Sequence, residues 1–221
     1  MTGLLPGPGE AAVFAGAVLV LNATPGADFL LTVSRTLQGG ARAGVAAALG
    51  INAGCVVHAL AAAFGLAALL ALHPQALQAV QWAGAAYLVW LGMGMGRQAL
   101  RRAAPAQATG AAGGPRRPFR VDFRTGLLTN VLNPKVAFFF LAFLPQFVPA
   151  GTPSAAASFG LLGAWLVAQS TVFLLALVAV AARLSRLRTS DTVQRWLNGL
   201  GGLLFIGLAL RLLRTRPLLT S

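Results

Sequence analysis

Leu21-Asn22-Ala23-Thr24-Pro25-Gly26-Ala27-Asp28-Phe29 decides how the rest of the chain is read. The stretch lies in an apolar run long enough to cross a membrane, yet it holds an amide, a Pro-Gly pair and a carboxylate within seven residues. Proline removes a backbone donor and clashes with the preceding turn, and glycine loosens the helix further. In hydrocarbon such a break survives only where protein or a water-filled cavity satisfies the freed carbonyls. A carboxylate at that depth marks a functional site by default. Asn22, Pro25 and Asp28, at three-residue spacing, fall on nearly one helical face. The plainer alternative is a proline kink with Asp28 reaching out to the interface.

The composition around this stretch is that of an integral membrane protein. Of 221 residues, 57% are hydrophobic and 10% charged, with a mean hydropathy of +0.75; a soluble domain carries about 25% charge. The acids are Glu10, Asp28, Asp122 and Asp191, against sixteen arginines and one lysine, for a net charge of +13. The arginines cluster between apolar runs, where they act as topology signals rather than as a nucleic-acid surface. Cys55 is the only cysteine, which excludes a disulfide framework and a thiol pair, and it is expected to be an inert packing residue. Met1 to Glu10 lacks a positive n-region, so the first run is expected to stay as a span.

Six transmembrane helices are predicted, over Ala11–Val33, Ala43–Leu72, Ala76–Met95, Gly126–Val148, Ala155–Leu184 and Val193–Leu213. Each reaches or exceeds the ~20 residues that cross a ~30 Å core. Arg35 and Arg42 lie in the first connection, seven arginines in the third and four in the fifth, while the second and fourth have none. The positive-inside rule puts the odd connections in the cytoplasm and the N-terminus outside. Arg211, Arg214 and Arg216 oppose this at the C-terminus, which an even number of spans also places outside.

The two halves echo each other. Predicted span lengths run 23, 30 and 20, then 23, 30 and 21, and Asn22…Pro25 is matched by Asn130…Asn133-Pro134-Lys135. Trp82…Gly84…Gly92 is matched by Trp196…Gly199…Gly207, and His58 by Gln169. An odd number of spans per half inverts the second copy. The predicted fold is therefore all-α: two inverted three-helix repeats, with helices 1 and 4 broken at Pro25 and Pro134. It forms a single transmembrane domain over 1–221, with repeat 1 at about 11–96, a cytoplasmic linker rich in Ala, Gly and Pro at about 97–123, and repeat 2 at about 124–214. Inverted repeats with helices broken at equivalent places are the architecture of secondary transporters, with the site at the midplane. Nine residues separate each proline from the cytoplasmic edge of its span, about 13 Å at 1.5 Å per residue, so both breaks are expected near the middle.

Each break starts a half-helix whose free N–H groups attract an anion. Lys135 adds a cation beside one end, and Asp28 supplies an anion near the other. Together they suit a zwitterion, with its carboxylate towards a half-helix N-terminus or Lys135 and its ammonium towards Asp28. Asn22, Asn130 and Asn133 can bridge as amides, and Pro25, Gly26 and Pro134 shape the breaks. Asp28 and Lys135 can instead pair with each other, as a resting state or as plain architecture. Asp28 is the first candidate to exchange a proton, since leaving water disfavours the charged carboxylate, and His58 is the second. Gly50…Gly54 and Gly92…Gly96 have the spacing for close helix approach or a homodimer.

Asn22-Ala-Thr-Pro25-Gly26-Ala-Asp28, followed by Ser34-Arg35, resembles the N-terminal signature of the LysE/RhtB family of amino-acid exporters. So do Gly39…Arg42-Ala-Gly44…Leu49-Gly50 and Gly84-Ala-Ala-Tyr87-Leu…Leu91-Gly92. The strongest likeness is Phe123-Arg124-Thr-Gly126-Leu-Leu-Thr-Asn130-Val-Leu-Asn133-Pro134-Lys135, continuing to Phe143-Leu-Pro145-Gln146-Phe147. The resemblance covers nearly the whole chain. It implies six helices in two inverted halves, and amino-acid efflux from the bacterial cytoplasmic membrane driven by the proton gradient, with amino acid, proton and lipid as partners and no cofactor. Ala27 departs from the family, which commonly has a second proline there. Branches that export basic amino acids carry further intramembrane carboxylates, which Gly50–Cys55 and Val136–Leu141 lack here. A neutral substrate such as homoserine, threonine or leucine is therefore favoured.

Two other readings fit less well. Export of a metal cation needs clustered ligands, and one Asp, one His and one Cys at separate positions make a poor cage. A thiol-shuttling electron carrier needs two cysteines. No nucleophile–base pair suggests an enzyme.

Overall fold

The computed structural model describes residues 3–68, 117–149 and 151–184, with eight isolated positions from Gln75 to Met93. Most of the third predicted span and all of the sixth lie outside the described residues, as do Gly84, Gly92, Gly96, Asp191, Trp196 and the C-terminal arginines.

Every regular element among the described residues is helical. Helix α1, Pro8–Ala23, opens with a proline in its first turn and Glu10 beside the positive end of its dipole. It stops at Thr24, which Pro25 holds in an extended conformation (φ −67°, ψ 119°). The Thr24 N–H and hydroxyl both donate to the Val20 carbonyl, at 2.9 and 2.6 Å, closing the last turn. Gly26 is extended, and α2, Ala27–Ala61, starts directly after it with Asp28 in its first turn.

Helix α2 is two segments. Gly40 lies at φ 75°, ψ −177°, a conformation open to glycine and costly for other residues. Gly44 packs against the Thr36 side chain eight residues earlier, a separation of about 12 Å along a continuous helix, so the chain folds back at Gly40. Residues 27–39 thus follow the break at Pro25, and residues 41–61 run in the opposite direction to them. A π-helical stretch, Ala62–Leu66, extends the latter.

Helix α3, Phe119–Val131, leads into the second break, at Leu132 and Asn133. Helix α4, Pro134–Phe138, follows with proline in its first turn and Asn133 Oδ1 capping the Lys135 N–H at 3.1 Å. The chain continues through π-helical Phe139–Phe143 and 3-10 Leu144–Phe147, bent by 49° from α3. Helix α5, Ala155–Leu184 among the described residues, begins where the fifth span is predicted to begin. Ala27–Leu66 and Ala155–Arg183 are long and apolar enough to cross a membrane, and the bent pair makes a third if counted as one span. Val172 on α5 and Phe64 are more than 70% exposed, a surface made for lipid.

Two helical segments outrun their predicted spans. Residues 27–39 continue past Val33, and α3 begins at Phe119 instead of Gly126. The extra turns carry charges that a free hydrocarbon-facing helix could not hold, and Arg35 Nε pairs with Asp122 Oδ1 at 3.3 Å across them. Thr32 and Thr36 return their hydroxyls to the carbonyls of Asp28 and Thr32, at 2.8 and 2.7 Å.

Glycines bring the two halves together. A Cβ at Gly50 would strike the Phe123 carbonyl, and one at Gly126 would strike the Ala47 carbonyl. A Cβ at Gly54 would come within 2.6 Å of Asn130 Oδ1. The Gly50…Gly54 spacing is therefore used within the chain, against α3. At one end Phe14 of α1 packs on Phe147 and Trp165, with ring centroids 5.1 and 5.5 Å apart.

Gly126→Ala is expected to cost at least about 1–3 kcal/mol, because the obstacle is backbone. Gly16→Ala, whose Cβ would have open space within 4 Å, is expected to be neutral or stabilising by up to ~1 kcal/mol. Thermal unfolding of both variants in detergent, followed by size-exclusion chromatography, checks the contrast.

Candidate functional site

The two breaks touch. Lys135 Nζ, at the start of α4, donates to the Thr24 carbonyl at the end of α1, at 3.1 Å. Proline at 25 leaves carbonyls without intrahelical partners, and here the ammonium takes up one of them. A Cβ at Gly26 would sit 3.3 Å from the same Nζ, so the glycine makes room for the lysine.

Asp28 meets Asn130 across the same junction, with Asn130 Nδ2 donating to Asp28 Oδ2 at 2.8 Å. Asp28 Oδ1 and Asn130 Oδ1 are buried acceptors without a hydrogen-bond donor. Buried acceptors of this kind suit a group rich in N–H donors.

These residues border a cavity lined by Leu21, Asn22, Thr24, Asp28, Phe29 and Ile51 on the first half of the chain, with Cys55 beside them. Lys135 and Val136 from α4, and Leu166, Ser170 and Leu174 from α5, complete it. Its volume of ≈ 20 Å³ holds about one water, far short of an amino acid. Apolar side chains dominate the lining away from Asp28 and Lys135.

Of the residues singled out in the sequence, Asn22, Asp28 and Lys135 line this cavity, and Gly26, Asn130 and Asn133 support them at the distances above. Pro25 and Pro134 set the breaks. His58 stands back: its Nε2 lies 3.2 Å from the Asn130 carbonyl, and its ring stacks on Phe140 at 5.7 Å. It therefore holds the backbone just ahead of the second break.

Several residues carry more than their sequence context suggested. Ser170 forms a reciprocal pair with Asn22: Nδ2 donates to Oγ at 2.9 Å, and Oγ donates to Oδ1 at 3.1 Å. Cys55, expected as inert packing, lines the cavity. Asn52 is 5% exposed with Nδ2 bonded to the Ala48 carbonyl and Oδ1 without a donor. Asp122, one of only four acids, is 2% exposed and engages Arg35. A serine or asparagine inside an apolar helical run was the available signal for Ser170 and Asn52.

Comparison with known proteins gives a consistent pattern. The family model described as "LysE type translocator" matches residues 19–216. An uncharacterised membrane protein of Pseudomonas aeruginosa is 33% identical over 189 residues, covering 85% of this chain and 87% of the relative. A leucine efflux protein of Enterobacter sp. (strain 638) is 32% identical over 189 residues, with 85% and 87% covered. A homoserine/homoserine lactone efflux protein of Salmonella typhimurium is 28% identical over 191 residues, with the same coverage. No solved structure matches the chain.

The Asn22–Ser170 pair is expected to couple by about 0.6 kcal/mol, and by no more than ~1.7, as polar contacts between membrane helices do. A double-mutant cycle of Asn22→Ala and Ser170→Ala on thermal stability measures it; strictly additive effects would mean that the two side chains do not bond.

Proposed function

The chain belongs to the LysE type translocator family, and on that premise we propose that it exports neutral amino acids from the cytoplasm in exchange for protons. It is a multi-pass protein of the bacterial cytoplasmic membrane, from a family of translocators rather than of enzymes. Relatives named for leucine and for homoserine efflux support an amino-acid substrate.

The observation that carries the reading is the junction of the two breaks. Asp28 Oδ1 and Asn130 Oδ1, both buried and without donors, offer acceptors for the α-ammonium. Lys135, together with the N–H groups that open α2 and α4, offers the positive end for the α-carboxylate. Among the described lining residues Asp28 is the only carboxylate, which favours an uncharged side chain in the apolar remainder of the cavity. Substrate and proton compete for Asp28: the ammonium binds its charged form, and a proton taken from outside discharges it for the return. His58, bonded to the Asn130 carbonyl, is the second group able to take part.

The repeats fit this cycle. Span 2 contributes His58 to Asn130 at one break, and α5 contributes Ser170 to Asn22 at the other, as two inverted three-helix halves would. The full arrangement is six helices in one domain over 1–221, with the site between the halves, as in other inverted-repeat carriers. The small cavity corresponds to a closed stage of that cycle, and binding an amino acid requires the lining helices to part.

Proteoliposomes loaded with labelled leucine, homoserine or lysine test the proposal. Leucine or homoserine efflux is expected to quicken when the external medium is made acidic. Lysine is expected to leave at least about tenfold more slowly, since its second ammonium would be buried without a partner. Asp28→Asn keeps the shape and removes the charge, so subsaturating efflux should fall at least about thirtyfold, the low end of losing a buried charge pair. Efflux of the three indifferent to the gradient would exclude antiport, and unchanged efflux in Asp28→Asn would remove that residue from the mechanism.

A further inference from the structure

Residues 27–39 are held against α3 by two polar contacts and bounded by a flexible joint at each end. The inner contact is Asn130 Nδ2 to Asp28 Oδ2, at 2.8 Å. The outer contact is Arg35 Nε to Asp122 Oδ1, at 3.3 Å, with side chains 14% and 2% exposed. Asp28 and Arg35 are seven residues apart, and Asp122 and Asn130 eight, about two helical turns or 10–12 Å on each helix. The pairing 28 with 130 and 35 with 122 is that of two antiparallel helices joined by two rungs.

The contacts of α3 on its other side are different in kind. Against residues 41–61 it packs backbone to backbone through Gly50 and Gly126, where no side chain could be inserted, and the Asn130 side chain sits on Gly54. That contact is rigid. Residues 27–39, by contrast, follow Pro25 and the extended Gly26, and end at Gly40 with its positive φ. Glycine and proline at the two ends confine any change of backbone angle to those ends.

We infer that residues 27–39 form the gate on the arginine-rich, cytoplasmic side of the site, and that the Arg35–Asp122 pair is its latch. When the segment swings away from α3, Asp28 and Phe29 leave the cavity wall and the remaining wall, Cys55 included, faces the cytoplasm. The latch and the substrate contact sit on one short helix, so an ammonium that draws Asp28 from Asn130 also loads the Arg35–Asp122 pair two turns away. Arg35 and Asp122 act on the site only through this segment and are positioning residues. The inference rests on the exporter reading for its purpose, and on the geometry alone for the motion.

Cys55, the only cysteine in the chain, is a native reporter of the opening. Inside-out membrane vesicles, which present the cytoplasmic face, are treated with a membrane-impermeant maleimide sulfonate, and whole cells report the other face. Asp122→Asn leaves Arg35 without its buried partner and is expected to raise the labelling rate in vesicles at least about tenfold, with whole-cell labelling unchanged. Arg35→Lys keeps the charge but loses the planar fork, and is expected to give a smaller rise of about threefold; it is the variant to use if Asp122→Asn does not reach the membrane. Labelling in vesicles that stays at the wild-type rate overturns the latch, and so does a rise of equal size from both faces. The assay needs no substrate, so a chain that opens in this way yet exports none of the amino acids tested would keep its gate and lose the proposed cargo.

Discussion

One ammonium at the junction of two broken helices governs the rest of the fold. A helix interrupted inside hydrocarbon exposes carbonyls that lipid cannot satisfy, each costing several kcal/mol if left alone. Lys135 Nζ answers the Thr24 carbonyl, with Gly26 close beside it. The second break is supported in the same way by different chemistry, with His58 at the Asn130 carbonyl and the Asn133 side chain at the Lys135 amide. Each break is therefore stabilised by residues from elsewhere in the chain, and neither half-helix pair is a finished unit alone.

That requirement sets the packing. Lys135 and Asn130 can reach residues 24–28 only if α3 comes very close to the first half of the chain. Gly50, Gly54 and Gly126 provide the approach by removing the side chains that would hold the backbones apart. The hydrophobic effect offers little between helices in lipid, so close van der Waals contact and polar pairs carry the association. The apolar bulk is distributed to match: phenylalanines fill the interior at one end, while Val172 and Phe64 face outward.

Much of this was legible in the sequence, for reasons tied to particular residues. Proline has few ways to sit in a membrane helix, so Pro25 and Pro134 announced both breaks, and Asn22, Asp28 and Lys135 from the stretches around them line one cavity. The start of the fifth span at Ala155 was legible because it follows the turn-forming run Gly151-Thr152-Pro153-Ser154. The extensions of residues 27–39 and of α3 were not legible. Arg35 and Asp122 read as marks of a connection, and their pairing across 87 positions of sequence is not visible locally. Ser170 and Asn52 were hidden for a related reason. A single small polar residue in an apolar helix can satisfy itself on the preceding turn, as Thr171 does on Val167, and nothing local tells which residue has a distant partner instead. Cys55 was read from its chemistry, which is inert, when its position was what mattered.

The small cavity between the breaks bears on leakage. A carrier that works against a concentration difference loses ground whenever solvent or solute crosses without its counter-ion. At ≈ 20 Å³ the chamber can convey about one water per cycle. A chamber of this size holds neither an osmolyte nor a continuous file of water along which protons could hop. The tightness comes from branched and sulfur-bearing side chains, Ile51, Leu166, Leu174 and Cys55, filling space around a few charges. Under the proton exchange proposed for this chain, trimming any of them would show first as uncoupled proton flow, ahead of any loss of recognition.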